Sequence, residues 1–129
     1  SAWTTINENS SGQSDSTMVG GTWFIKYRTT NSGTTVEIQI HAAKQGTMVV
    51  AGDIIGDLPA SVRPSKQVPI LFSPKNTTST GSQGHAGFGV IAPDGRVAVT
   101  FTLNANIGDQ VNSGTGSQDY YANFSYSLG

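Results

Sequence analysis

Leu58-Pro59-Ala60-Ser61-Val62-Arg63-Pro64-Ser65 and, downstream, Val90-Ile91-Ala92-Pro93-Asp94-Gly95-Arg96-Val97 are the stretches whose reading decides the fold. Each proline fixes φ and turns the residue before it away from helix. Leu58 to Pro64 therefore reads as an extended crossing between strands, with Leu58 and Val62 as its apolar plugs. The second stretch reads as a hairpin. Pro93 presets φ, Asp94 caps its own turn, and Gly95 is free to take a positive φ.

Outward from these two points the chain alternates. Trp23, Ile25 and Tyr27 share one face of a half-buried strand, and Phe24, Lys26 and Arg28 the other. Asn31-Ser32-Gly33 supplies a turn, after which Val36, Ile38, Ile40 and Ala42 face inward and Thr35, Glu37, Gln39 and His41 face out. Met48 to Ile55 reads as a strand with a bulge at Gly52, and Val68 to Phe72 as a strand stopped by Ser73-Pro74. Phe88 to Ile91 pairs with Val97 to Leu103 across the Pro93-Asp94-Gly95 turn, placing Val97, Val99, Phe101 and Leu103 on one face. In the last segment Tyr120, Ala122, Phe124, Tyr126 and Leu128 alternate with Tyr121, Asn123, Ser125 and Ser127. No window has the 3.6-residue apolar spacing of a helix. The expected class is all-β, a two-sheet β-sandwich of jelly-roll type, with an open barrel as the competing arrangement. Residues 1–21 are polar and Gly/Ser-rich and read as a linker-like segment partly pinned to the domain. Residues 22–129 read as a single domain, a size that one core can serve.

Gly, Ser and Thr fill 46 of the 129 positions (16, 15 and 15), while charged residues make up 12% against about 25% in ordinary domains. The surface polarity is thus uncharged, which suits sugar hydroxyls and is equally common in extracellular β proteins without a ligand. A formal net charge of −1 with no basic run leaves counterion release little to contribute, so nucleic acid is not an expected partner. The absence of cysteine excludes disulfides, thiolate metal sites and cysteine catalysis. No apolar run approaches the roughly 20 residues that span a bilayer, and the chain reads as soluble with no membrane partner.

Glycoside hydrolysis needs two carboxylates flanking the bond. Of the eight acids, Asp94 is used by its turn and Glu8 and Asp15 lie in the linker-like segment. Asp109 and Asp119 share a loop without a visible means of raising one pKa. No catalytic residues are expected, and neither is a metal, because His41 and His85 lack partners at ligand spacing. Sugars are commonly held by an aromatic face and a few convergent polar groups. Two long loops, Lys75 to Gly87 and Asn104 to Tyr121, border one end of the fold, and loops on a rigid scaffold are where binding groups concentrate. The expected saccharide site is there, with Tyr121 stacking and His85, Gln83 and Asp119 hydrogen-bonding. Tyr121 as mere cover for a sheet, and His85 as a solvated loop side chain, are the alternatives. Trp23 is expected in the core.

The order of an L-P-x-x-x-R-P-S crossing and an I-x-P-D-G-x-V hairpin resembles the small β domains of tail and baseplate proteins of phages infecting Gram-positive bacteria. The likeness extends upstream to Gly21-Thr22-Trp23 and to Lys26 through Val36, covering about residues 20 to 128. Val62 stands where the family often has an aromatic residue. The resemblance implies a receptor-binding head or accessory carbohydrate-binding module, hence a non-catalytic virion protein at the phage tail tip or baseplate. Its implied partners are host cell-surface polysaccharide and the rest of a larger phage tail protein, with no cofactor. In the trimeric heads of that family a His-x-Asp pair before the hairpin helps line the saccharide cleft. This chain has Gly89-Val90-Ile91 there, so those ligands do not carry over. With no N-terminal heptad segment, a monomeric module is expected. A structural, decorating domain of a tail protein and a glycan-degrading enzyme domain are the competing functions.

Overall fold

A computed structural model describes residues 2–45, 49–75, 87–102 and 119–128, apart from the side chains of Pro74, Lys75, Phe101 and Thr102. The alternating segments become strands: β1 (Thr4–Ile6), β2 (Phe24–Thr30), β3 (Thr35–Ala43), β4 (Ile54–Asp57), β5 (Val68–Lys75), β6 (Gly87–Ile91), β7 (Arg96–Thr102) and β8 (Asp119–Ser127). The chain is all-β, and the described residues contain no α-helix. Every neighbouring pair is antiparallel, in the order β1-β2-β3-β8-β5-β6-β7-β4. The expected two-sheet jelly roll is not confirmed, because these strands form one continuous sheet that nearly closes into a barrel.

Period-2 alternation places the core as expected. Val36, Ile38, Ile40, Val97 and Val99 are all buried, as is Trp23, while the Phe101 side chain lies outside the described residues. Two expectations shift. Of the strand expected over Met48 to Ile55, Met48 lies outside the described residues and the described part begins only at Ile54, because Gly52 (φ 93°) lies in a turn; the bulge falls between Ile54 and Gly56. Ser73-Pro74 does not end the fifth strand. Val68–Phe72 pairs with β6, and Ser73–Lys75 continues in register with Tyr121, Tyr120 and Asp119 of β8. A proline has no N–H for a ladder, and Pro74 falls in the stretch where β5 has left one neighbour for the other.

The N-terminal segment, read as linker-like, carries β1 and contributes Ile6 and Met18 to the core. Between β1 and β2 it runs along the outer edge of β4. Gln13 acts as a substitute strand residue: its Nε2 donates to Asp57 O (3.0 Å) and its Oε1 accepts from Asp57 N (2.8 Å). Thr17 N donates to Ile54 O (2.8 Å) while its hydroxyl oxygen accepts from Ile54 N (2.9 Å), and Ser16 Oγ donates to Ile55 O (2.7 Å). An edge that would otherwise offer unpaired groups is satisfied by three side chains and one backbone N–H.

The two stretches that signal the fold meet in space. Leu58 and Val62 are both buried plugs, as expected, and the crossing is extended at Pro59 and Arg63 with one 3-10 turn, Ala60–Val62, between them. Leu58 N donates to Gly95 O (2.9 Å), and Arg63 Nε to Leu58 O (3.0 Å). Gly95 has φ 93°, and a β-carbon there would lie 2.6 Å from Leu58 O, so both conformation and space demand glycine. From the far side, the buried Tyr126 hydroxyl donates to Val62 O.

Tyr126→Phe leaves the Val62 carbonyl without that donor and is expected to lower stability by about 1–3 kcal/mol in denaturant unfolding. Burial raises the Tyr126 phenol from 10 to about 12. For an acid raised by folding, the associated stability is complete below pH 10 and is lost as pH climbs through 12. Spectrophotometric titration should therefore show a tyrosine transition near pH 12 that is absent in Tyr126→Phe.

Candidate functional site

The register of β2, β3 and β8 lays their outward side chains in rows. Phe24 pairs with His41, His41 with Tyr121, and Tyr121 with Ser73 of β5. The adjoining row is Lys26, Gln39 and Asn123, and the next Arg28, Glu37 and Ser125. Alternation alone sends these side chains to one face, but only the pairing of strands far apart in the chain makes them neighbours.

The first row is an aromatic ladder. Tyr121 lies flat on His41, with ring centroids 4.6 Å apart and planes 5° from parallel. His41 in turn meets Phe24 at 5.5 Å and 59°, and the Lys26 ammonium sits 4.8 Å from the Phe24 centroid. At the far end of the face Arg28 forms an ion pair with Glu37 (2.8 Å) while its guanidinium covers Trp3 at 4.6 Å. Trp3 is thus held against the sheet rather than presented bare.

His41 is 8% exposed and fixed from beneath: Nδ1 lies 3.0 Å from Thr22 O, a group that only accepts, so Nδ1 carries the proton. Its Nε2 is buried, has no hydrogen-bond partner among the described residues, and lies 3.7 Å from Asp119 Oδ2. The ring is a rigid backing for Tyr121.

Because one face of Tyr121 is covered by His41, its other face is directed toward β5. There the sheet opens. Beyond the three residues that pair with β8, β5 turns to β6, and the two strands diverge around a trough of about 500 Å³ lined by Pro69, Leu71, Ser73, Tyr121, Asn123 and Phe124. Leu71, at 64% exposure, presents its side chain to this trough. A half-buried ring, an exposed aliphatic wall, a hydroxyl and an amide can together take a ligand with one apolar face and a polar rim.

Of the expected site residues, Tyr121 and Asp119 are on this face, two residues apart on β8. His85 and Gln83, with nearly all of both long loops, lie outside the described residues. His41 and Asn123 were readable as outward-facing but not as neighbours of Tyr121 and its trough. Among the described residues no group of three or more His, Cys, Asp or Glu side chains could hold a metal ion, and no helix is long and apolar enough to cross a membrane. No protein-family model matches the chain, and no curated protein matches it either.

Side-chain nitrogen NMR should find neutral His41 protonated on Nδ1. A neutral ring carrying its proton on Nε2 would be incompatible with the bond to Thr22 O and with the fixed backing described for Tyr121.

Proposed function

We propose that the chain is a non-catalytic carbohydrate-binding module of a phage baseplate or distal tail protein, adhering to host cell-wall saccharide. The observation that carries this reading is the Tyr121 ring, backed by His41 and turned toward a trough that also offers Ser73 and Asn123. A pyranose has an apolar C–H face for the ring and a rim of hydroxyls for the amide and hydroxyl beside it. Asp119 is retained as a further hydrogen-bonding group at the same end of β8. The uncharged polar composition and the likeness of the 58–65 crossing and 90–97 hairpin to phage tail domains support the same assignment. In that family reading the sheet corresponds to a jelly roll in which β5, shared between β6 and β8, is the strand that passes between sheets.

An open trough with one stacking ring binds weakly by itself, and many copies on a virion convert such binding into adhesion through effective concentration. The competing readings, a structural domain without a ligand and a glycan-degrading enzyme, give different results with fluorescent fusions. On this proposal the parent stains host cells and fails on cells stripped of their surface polysaccharide, without releasing reducing ends.

Tyr121→Ala should fold normally, since the ring is outside the core, and weaken binding about 5- to 150-fold, by analogy with the roughly 1–3 kcal/mol of a base stacked on an aromatic ring. Equal staining of both cell types, or undiminished binding by Tyr121→Ala, would remove the proposal.

A further inference from the structure

The seam between the N-terminal segment and β4 contains a pair of acids. Asp15 lies between Gln13 and Ser16, which bond to the β4 backbone, and Asp57 ends β4. Asp15 Oδ1 and Asp57 Oδ2 are both buried, and neither accepts a hydrogen bond from any donor among the described residues. The two side chains are nevertheless within hydrogen-bonding reach of each other. Two carboxylate oxygens so placed bond only if a proton lies between them.

The surroundings supply one cation directly. Arg96 of β7 donates to Asp15 Oδ2 at 2.7 Å. Asp94, in the hairpin before β7, adds a further negative charge near Asp57. Arg63 of the crossing lines the same cleft of about 350 Å³ as Asp57 and Gln13, with its Nε committed to Leu58 O. One guanidinium therefore serves two carboxylates, with a third close by.

We propose that Asp15 and Asp57 form a proton-operated latch on the barrel seam. While one proton is shared between them, residues 13–17 stay docked along β4. When it leaves, two adjacent negative charges sit on opposite sides of the seam, and the segment detaches more often.

Titration fixes the sign. Removal from water, then the hydrogen bond and charge of Asp15, raise Asp57 from 3.8 to about 6. The hydrogen bond from Asp57 and then the Arg96 guanidinium hold Asp15 below its ordinary value. Asp15 is consequently ionised in both closed and open seams above pH 5. Only Asp57 changes, and an acid raised by closure favours the closed seam below pH 3.8 and loses that contribution as pH rises through about 6.

The test is native-state hydrogen exchange corrected for intrinsic rates. Between pH 5 and pH 7.5 the amides of Thr17, Ile54 and Asp57 should lose about tenfold in protection, the change expected for a group at about 6 closed and 3.8 open. Amides of β3 should keep theirs. Asp57→Asn keeps the backbone bonds to Gln13 while removing the charge, and its seam amides should show no such fall. Asp15→Asn removes the facing carboxylate but leaves the burial of Asp57, so its fall should be smaller than the parent's. Equal protection of the parent at both pH values would overturn the latch. So would a fall that persists undiminished in either variant, or one that spreads equally through β3 and β8.

Discussion

An antiparallel sheet that curls toward a barrel must do something with its two outer edges, and in this protein the answer at β4 governs much of the rest. The 54–57 edge is met by no ninth strand among the described residues. It is met by Gln13, Ser16 and Thr17, whose side chains, together with the Thr17 N–H, stand in for a backbone ladder. Side-chain surrogates satisfy the same donors and acceptors as a strand, yet they bring more rotamer freedom that closure must remove. The same segment covers the core: a β-carbon on Gly56 would lie 2.8 Å from Gln13 Oε1 and 3.0 Å from the Trp23 ring, so Gln13 and Trp23 pack against the strand where only glycine leaves room. Closure and core formation at this end are one event.

A second constraint acts across the molecule. β5 cannot pair with β6 and β8 along its whole length and still bend between them, so it divides itself, five residues to one and three to the other. The trough is the geometric remainder of that division. Its position follows from the sheet curvature, whereas its chemistry follows from what the outward positions of β5 and β8 carry. Pro69 and Leu71 make one wall apolar, and Tyr121 and Asn123 make the other aromatic and polar.

Legibility in the sequence followed the range of the interaction. Turn chemistry at Asn31-Ser32-Gly33 and Pro93-Asp94-Gly95 is local, and both turns occur as read, with positive φ at Asn31, Ser32, Gly33 and Gly95. Alternation is local too, and it correctly put Val36, Ile38 and Ile40 inside and Tyr121 on the outer surface. The 80-residue separation that makes His41 the support of Tyr121 has no local trace, because register between β3 and β8 is a property of the assembled sheet. The N-terminal segment deceived for another reason. It docks mainly through Gln, Ser and Thr side chains, so it lacks the apolar period by which edge pairing is recognised, and Asp15, placed in a linker-like segment, in fact faces Asp57. Pro74 shows the limit of punctuation: a residue that cannot donate to a ladder need not end a strand that is changing partners.

The low charge of the chain ties these features together. With charged residues at 12%, few ionic contacts are available, and those present within the described residues are concentrated. Lys44 is spent on the buried Asp53, whose carboxylate also accepts from Val50 N and the Thr17 hydroxyl. Arg28 is spent on Glu37 and Trp3, and Arg96 on Asp15. The cations that remain near the aromatic ladder are thus occupied with the fold or with a ring, as Lys26 is with Phe24. The end of the sheet face at Tyr121 therefore presents rings, amides and hydroxyls, with the Asp119 carboxylate beside them, rather than a broad field of one sign. For the proposed saccharide, recognition there would rest on stacking and on hydrogen bonds of short reach. Such contacts discriminate by shape and are little screened by salt, in contrast to attraction between exposed charges.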